Sequence, residues 1–188
     1  MPLLGALMGL FLLSSAIMAL PANASAPTVP ALPNYTVTLT AYNAVPGQTD
    51  DNPFETASGA YANSEVVAAR SQDLAQELPF GTIVAFDGPA TSGNSCGYGV
   101  VAPIIGYRVV ADTMNARYAD RVDILFHTKS NYVMADGGMK NASTILGICS
   151  GATVRVVGYI DITNPNRLPK TQAALASLVE EKSTLAIK

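Results

Sequence analysis

Val109-Val110-Ala111-Asp112 … Arg121-Val122-Asp123-Ile124-Leu125-Phe126 is the stretch whose reading decides the fold. Each half is an apolar, β-branched run of strand length, so each reads as a buried strand. Each also carries an aspartate at its edge, and the two aspartates lie eleven positions apart. A carboxylate at the margin of a core is costly unless it is hydrogen-bonded, paired or put to use. On neighbouring strands such a pair can face one cleft, the geometry from which sugar-cleaving chemistry is built.

Outward from this pair, short strands recur. Residues 35–42 alternate Thr36, Thr38 and Thr40 against Val37, Leu39 and Ala41, a half-buried strand pattern. Further strands are expected at 66–69, 82–86, 107–111, 122–126 and 154–160. They are separated by turn residues at Pro79-Phe80-Gly81, Asp87-Gly88-Pro89 and Asp136-Gly137-Gly138. Helical periodicity is thin, with one short helix expected within 71–78 and a turn at 132–135. About six strands with irregular connections point to a small, mainly β barrel rather than a parallel sheet flanked by helices. The barrel domain is assigned to 35–162. Pro165 and Pro169 open a tail, 163–188, in which 171–182 is a good helix former expected to dock outside the barrel or fray.

The chain has 188 residues, which suits one domain with appendages. Hydrophobic residues make up 49% and charged residues only 13%, and no charged side chain precedes Asp50. Within that start, 3–20 is an apolar run broken by Gly5, Gly9, Ser14 and Ser15. Pro21 and Ala22-Asn23-Ala24-Ser25-Ala26 follow. Small residues at Ala24 and Ala26 predict an export signal over 1–26, cleaved after Ala26, with Ala22 and Ala24 marking another cut. The basic start of such signals is missing, so an uncleaved anchor stays open, and only that form would touch a membrane. Residues 27–34, rich in proline, read as an extended linker.

Net charge is −3 with no Lys/Arg cluster, which argues against a nucleic-acid partner. No phosphate-cradling glycine loop is present, and no cofactor is expected. Cys96 and Cys149, each in a Gly/Ser-rich loop, fit one disulfide in an oxidising compartment. With lone His127 they supply too few ligands for zinc, so no metal is expected.

Of the charged residues, Asp112 and Asp123 carry the chemistry. Glycosidic cleavage needs one protonated carboxyl, and both desolvation and a nearby like charge raise a carboxyl pKa. The plainer reading is that each carboxylate caps a turn or pairs with Arg108, Arg117 or Arg121. Thr40-Ala41-Tyr42, Thr56-Ala57-Ser58-Gly59, Val66-Val67-Ala68, Leu78-Pro79-Phe80-Gly81-Thr82, Ala111-Asp112-Thr113 and Arg121-Val122-Asp123-Ile124 follow one another along 36–160. In content, order and aspartate spacing this series resembles the three-aspartate (3D) domain family of bacterial lytic transglycosylases and wall-remodelling proteins.

The resemblance implies a six-stranded double-psi β-barrel. It also implies non-hydrolytic cleavage of the MurNAc–GlcNAc bond of peptidoglycan, leaving a 1,6-anhydro-muramyl end. Asp123 would then be the general acid, and Asp112 would sit beside it, raising its pKa and stabilising positive charge on the sugar. Tyr42 and Thr56 match groove positions, whereas Thr40 and Gly59 look structural. Thr113, Asn115 and Arg117, in the segment after the second aspartate, are taken as substrate contacts. The sequence departs from the family at three places. Met114-Asn115 stands where the family has Gly-Gly, and the first aspartate has no exact counterpart, Asp73 being displaced by one position. The family's basic residue just before the third aspartate's turn is not clearly kept, although Arg117 is close.

The expectation is therefore an exported, monomeric, peptidoglycan-cleaving enzyme whose partner is the glycan strand. A non-catalytic wall-binding or wall-loosening module is the alternative, and a hydrolytic glycosidase a third. Among weaker signals, His127 reads as a rim residue, and Tyr107, Tyr118 and Tyr132 as possible stacking faces. Asp50, Asp51 and Glu55 read as solvated loop charges rather than a calcium site. Asn23, Asn34 and Asn141 lie in Asn-x-Ser/Thr sequons.

Overall fold

The computed structural model describes residues 31–50, 52–90 and 96–185. The export segment expected over 1–26, and the first half of the linker after it, lie outside those residues. Among the described residues, no helix is long and apolar enough to cross a membrane.

The described residues form eight strands: β1 (Asn34–Asn43), β2 (Val67–Arg70), β3 (Thr82–Asp87), β4 (Arg108–Thr113), β5 (Arg121–Phe126), β6 (Asn131–Val133), β7 (Met139–Asn141) and β8 (Cys149–Tyr159). Six of them close into a barrel in the order β1-β5-β2-β4-β3-β8. Pairs β1–β5 and β2–β4 are parallel, and the other four are antiparallel. This mixed ring, with two parallel pairs among non-consecutive strands, is compatible with a double-psi barrel. Every expected strand is present within a few residues of its expected limits, and β6 and β7 add a small separate hairpin.

Strand alternation divides the apolar residues into two layers. Val37, Leu39, Val84, Val110, Ile124 and Val154 point inward and, with others, form the barrel core. Val67, Val109 and Leu125 belong to an outer layer, which Ile162, Leu168, Leu175 and Val179 cover. The last two come from α3 (Gln172–Leu185), so the C-terminal helix docks on the barrel wall. Gln172 fastens its start: Nε2 donates to Tyr107 O at 2.7 Å and Oε1 accepts from Tyr107 N–H at 3.1 Å.

Two further helices close the barrel core: α1 (Tyr98–Ile105) contributes Val101 and Ile105, and α2 (Ala142–Leu146) contributes Ala142 and Leu146. Neither was legible in sequence. α1 contains Gly99, Val100, Val101 and Pro103, all poor helix formers, and its stability comes from the i, i+4 pair it buries. α2 has only five residues. The two meet closely at Gly97, where a Cβ would collide with the Ile145 carbonyl. The expected helix within 71–78 is a short 3-10 turn, Gln72–Ala75. Cys96 and Cys149 form a disulfide that ties the entry of α1 to the first residue of β8.

Candidate functional site

Barrel register assembles the aspartate pair. Thr40 on β1 lies opposite Asp123 on β5, and Ala69 on β2 lies opposite Asp123 on one side and Asp112 on β4 on the other. The row across the wall is therefore Thr40, Asp123, Ala69, Asp112. Adjacent strands are about 4.8 Å apart, which sets the two aspartate backbones about 10 Å apart with one methyl group between them. A register shift between Ala68 and Ala69 creates this row; without it Ala69 would face Ala111. Both aspartates line a cleft of about 680 Å³, together with Tyr42, Ala69, Thr113, Asn115, Arg117 and Tyr118.

Asp123 is the unusual member. As a residue it is half-buried, yet its Oδ1 is sealed from solvent and has no hydrogen-bond partner among the described residues. Burial raises its pKa to about 6, and the nearby charge of Asp112 adds a smaller push the same way. A hydrogen bond from Thr40 and the charge of Arg121 oppose the rise without cancelling it. Desolvation, rather than the neighbouring carboxylate, is thus the main cause of this shift.

Asp112 is instead a fully engaged acceptor. Its Oδ1 accepts from the N–H groups of Ala57 and Thr113, each at 2.9 Å. Its Oδ2 accepts from Tyr42 Oη at 2.8 Å. Tyr42 is buried, and burial followed by the Asp112 charge holds its phenol well above its ordinary pKa, so it remains a donor. Arg108, whose charge acts on Tyr42, is only 1% exposed. Its guanidinium is satisfied by backbone carbonyls of Ile104, Ile105, Ser64 and Leu125 rather than by a carboxylate. Burial lowers its pKa to about 10.

The other sequence-nominated residues divide. Thr113, Asn115 and Arg117 line the cleft with the pair. Thr56 does not: it is buried, and its Oγ1 bonds to Ser58 Oγ and the Ala60 carbonyl, shaping the loop that delivers Ala57 N–H to Asp112. Asp73 is also absent from the lining, whereas its neighbour Gln72 is present. The Asp73 carboxylate accepts from the N–H of Asp120 at 2.8 Å. Asp120 is the one non-glycine described residue at positive φ (51°), so Asp73 holds the turn that leads into β5. His127 is exposed, with Nδ1 accepting from Lys129 N–H.

Asp50 and Glu55, read from sequence as solvated loop charges, line the cleft as well. Sequence carried no signal for this, because their loop is irregular and only tertiary packing folds it over the barrel wall. Among the described residues no group of three or more His, Cys, Asp or Glu is arranged to hold a metal. No protein-family model matches this chain, and no curated protein matches it either.

Proposed function

We propose that this chain is an exported lytic transglycosylase that cuts the MurNAc–GlcNAc bond of peptidoglycan. One observation carries the reading: Asp123, whose Oδ1 is buried without a hydrogen-bond partner among the described residues and whose pKa is about 6, lines the same cleft as Asp112. A protonated carboxyl near neutrality is what a leaving sugar oxygen requires. The resemblance of the motif series to the 3D family, together with a closed six-stranded barrel compatible with its fold, supports peptidoglycan as the substrate. The disulfide agrees with an oxidising compartment outside the cytoplasm.

In this reading Asp123 donates its proton to the glycosidic oxygen as the bond to the muramyl anomeric carbon breaks. The carboxylate left behind then takes the proton of the muramyl 6-hydroxyl, whose oxygen closes on the anomeric carbon. The proton returns to Asp123, no water is consumed, and a 1,6-anhydro end forms. Asp112, held in place by three donors, sets its carboxylate beside the ring where positive charge develops. Tyr42 positions Asp112 through its hydroxyl.

The test is digestion of purified peptidoglycan with mass analysis of the released fragments. Anhydro ends that disappear in Asp123→Asn support the proposal, and reducing ends would assign hydrolysis instead. A second reading, a wall-binding module without chemistry, is favoured by the position of Asp73, which braces a turn rather than joining the pair. Binding to peptidoglycan with no fragment release would establish it.

A further inference from the structure

The cleft lining carries one positive side chain among negative ones. Asp50, Glu55, Asp112 and Asp123 line the cleft, and Arg117 is the one cation among its described lining residues. Arg117 is exposed, and neither it nor nearby Arg121 forms an ion pair among the described residues. Both guanidiniums nevertheless have a fixed place. The carbon centres of Arg117 and Arg121 stand 4.7 and 4.9 Å from the ring centroid of Tyr118. Arg117 also donates to Tyr118 Oη at 2.8 Å, and its backbone N–H donates to Asn115 Oδ1 at 3.1 Å. Cation–π contact of this kind orients a guanidinium without neutralising it. The remaining N–H donors of Arg117 are left for a ligand, and little side-chain freedom remains to be lost on binding.

Resting on the transglycosylase reading, we propose that Arg117, stacked on Tyr118 with Arg121 behind it, is a subsite for a carboxylate carried by the glycan. In peptidoglycan that carboxylate belongs to the peptide stem on the muramyl sugar, so the preferred substrate is peptide-bearing rather than bare glycan. A phosphate-rich wall polymer fits less well, because Asp50, Glu55 and Asp112 along the cleft repel a continuous polyanion, whereas Arg117 can pair with a single anion.

The experiment is calorimetric titration of the full chain with a soluble disaccharide-peptide from digested wall, and with the same compound after its carboxylates are converted to amides. The expected result is about tenfold tighter binding of the carboxylate form, with the gap narrowing as salt is added. In Arg117→Gln the two affinities converge, and Arg117→Lys, which keeps the charge but not the planar fork, retains part of the gap. Equal binding of both forms by the wild-type chain overturns this subsite and leaves the transglycosylase reading standing. An undiminished gap in Arg117→Gln overturns it too. Binding of neither form removes the glycan reading itself and the subsite with it.

Discussion

Asp112 and Asp123 lie opposite the same residue, Ala69, on the two sides of strand β2. The pair is therefore set by strand order, which places β2 between β5 and β4 in the ring. Their environments are unequal, one with a buried, unpartnered oxygen and the other held by three donors, and in the proposed reaction this separates a proton carrier from a fixed charge.

Asp123→Asn separates chemistry from stability. If Asp123 is the general acid of the proposed reaction, its loss lowers turnover by about 10²- to 10⁴-fold. The folded-state pKa of about 6 lies above the ordinary 3.8, so the native state holds this proton more tightly than the unfolded chain. Stability is therefore highest below the ordinary value and falls as pH rises toward 6, by at most about 3 kcal/mol. Thermal unfolding is expected to show Asp123→Asn melting higher than wild type at pH 7 and level with it near pH 4. A variant that melts lower at pH 7 would contradict an uncompensated buried carboxylate.

Two neighbours move the alkaline limb of kcat/KM in opposite directions. Arg121 lowers the Asp123 pKa, so Arg121→Gln shifts the limb to higher pH. Asp112 raises it, so Asp112→Asn shifts the limb to lower pH and also slows the reaction. Because burial is the larger cause, each shift is expected to be only a fraction of the total displacement. Shifts of the same sign in both variants would show that the limb reports another group.

Ala69→Leu puts a branched side chain between the two carboxylates, where only a methyl now stands. The barrel should still form, with an overpacking cost of about 1–3 kcal/mol. Substrate affinity is expected to collapse, and the Asp123 pKa to climb above about 6 as water is displaced. Carboxyl-carbon NMR titration measures the second effect and saccharide binding the first.

Asp73→Ala tests whether a third aspartate takes part. Its carboxylate supports the Asp120 N–H, and its pKa is lowered chiefly by hydrogen bonding with Ser71 and then with Asp120. That stabilisation is present above the ordinary carboxyl pKa and is lost as pH falls through the lowered one. The expected result is a Tm lower by about 2–4 °C at neutral pH, with turnover within about threefold of wild type. A loss of several hundredfold would put Asp73 back into the chemistry.

How much of this was legible in sequence follows from the kind of interaction involved. The barrel strands were legible because alternation and β-branching are local signals, as in 35–42 and 122–126. The Asp112 and Asp123 edges were legible because a carboxylate beside an apolar run is conspicuous. α1 was not, since Gly99, Val100 and Pro103 argue against the helix that burial of Val101 and Ile105 imposes. The row through Ala69 depends on a one-residue shift against β4, which no periodicity encodes. Asp50 and Glu55 enter the cleft from an irregular loop. Family order nominated Asp73 for a role that the local fold gives to a turn brace.

β5 is gripped on both edges, by β1 and by β2, and the sealing of Asp123 Oδ1 depends on both seams. If either seam breathes, water wets that oxygen and its proton is released toward ordinary acidity. At neutral pH the protein would fall silent while most of its strands were still paired. The titration of one carboxyl thus acts as a gauge of how tightly the ring is shut, with heat inactivation preceding melting.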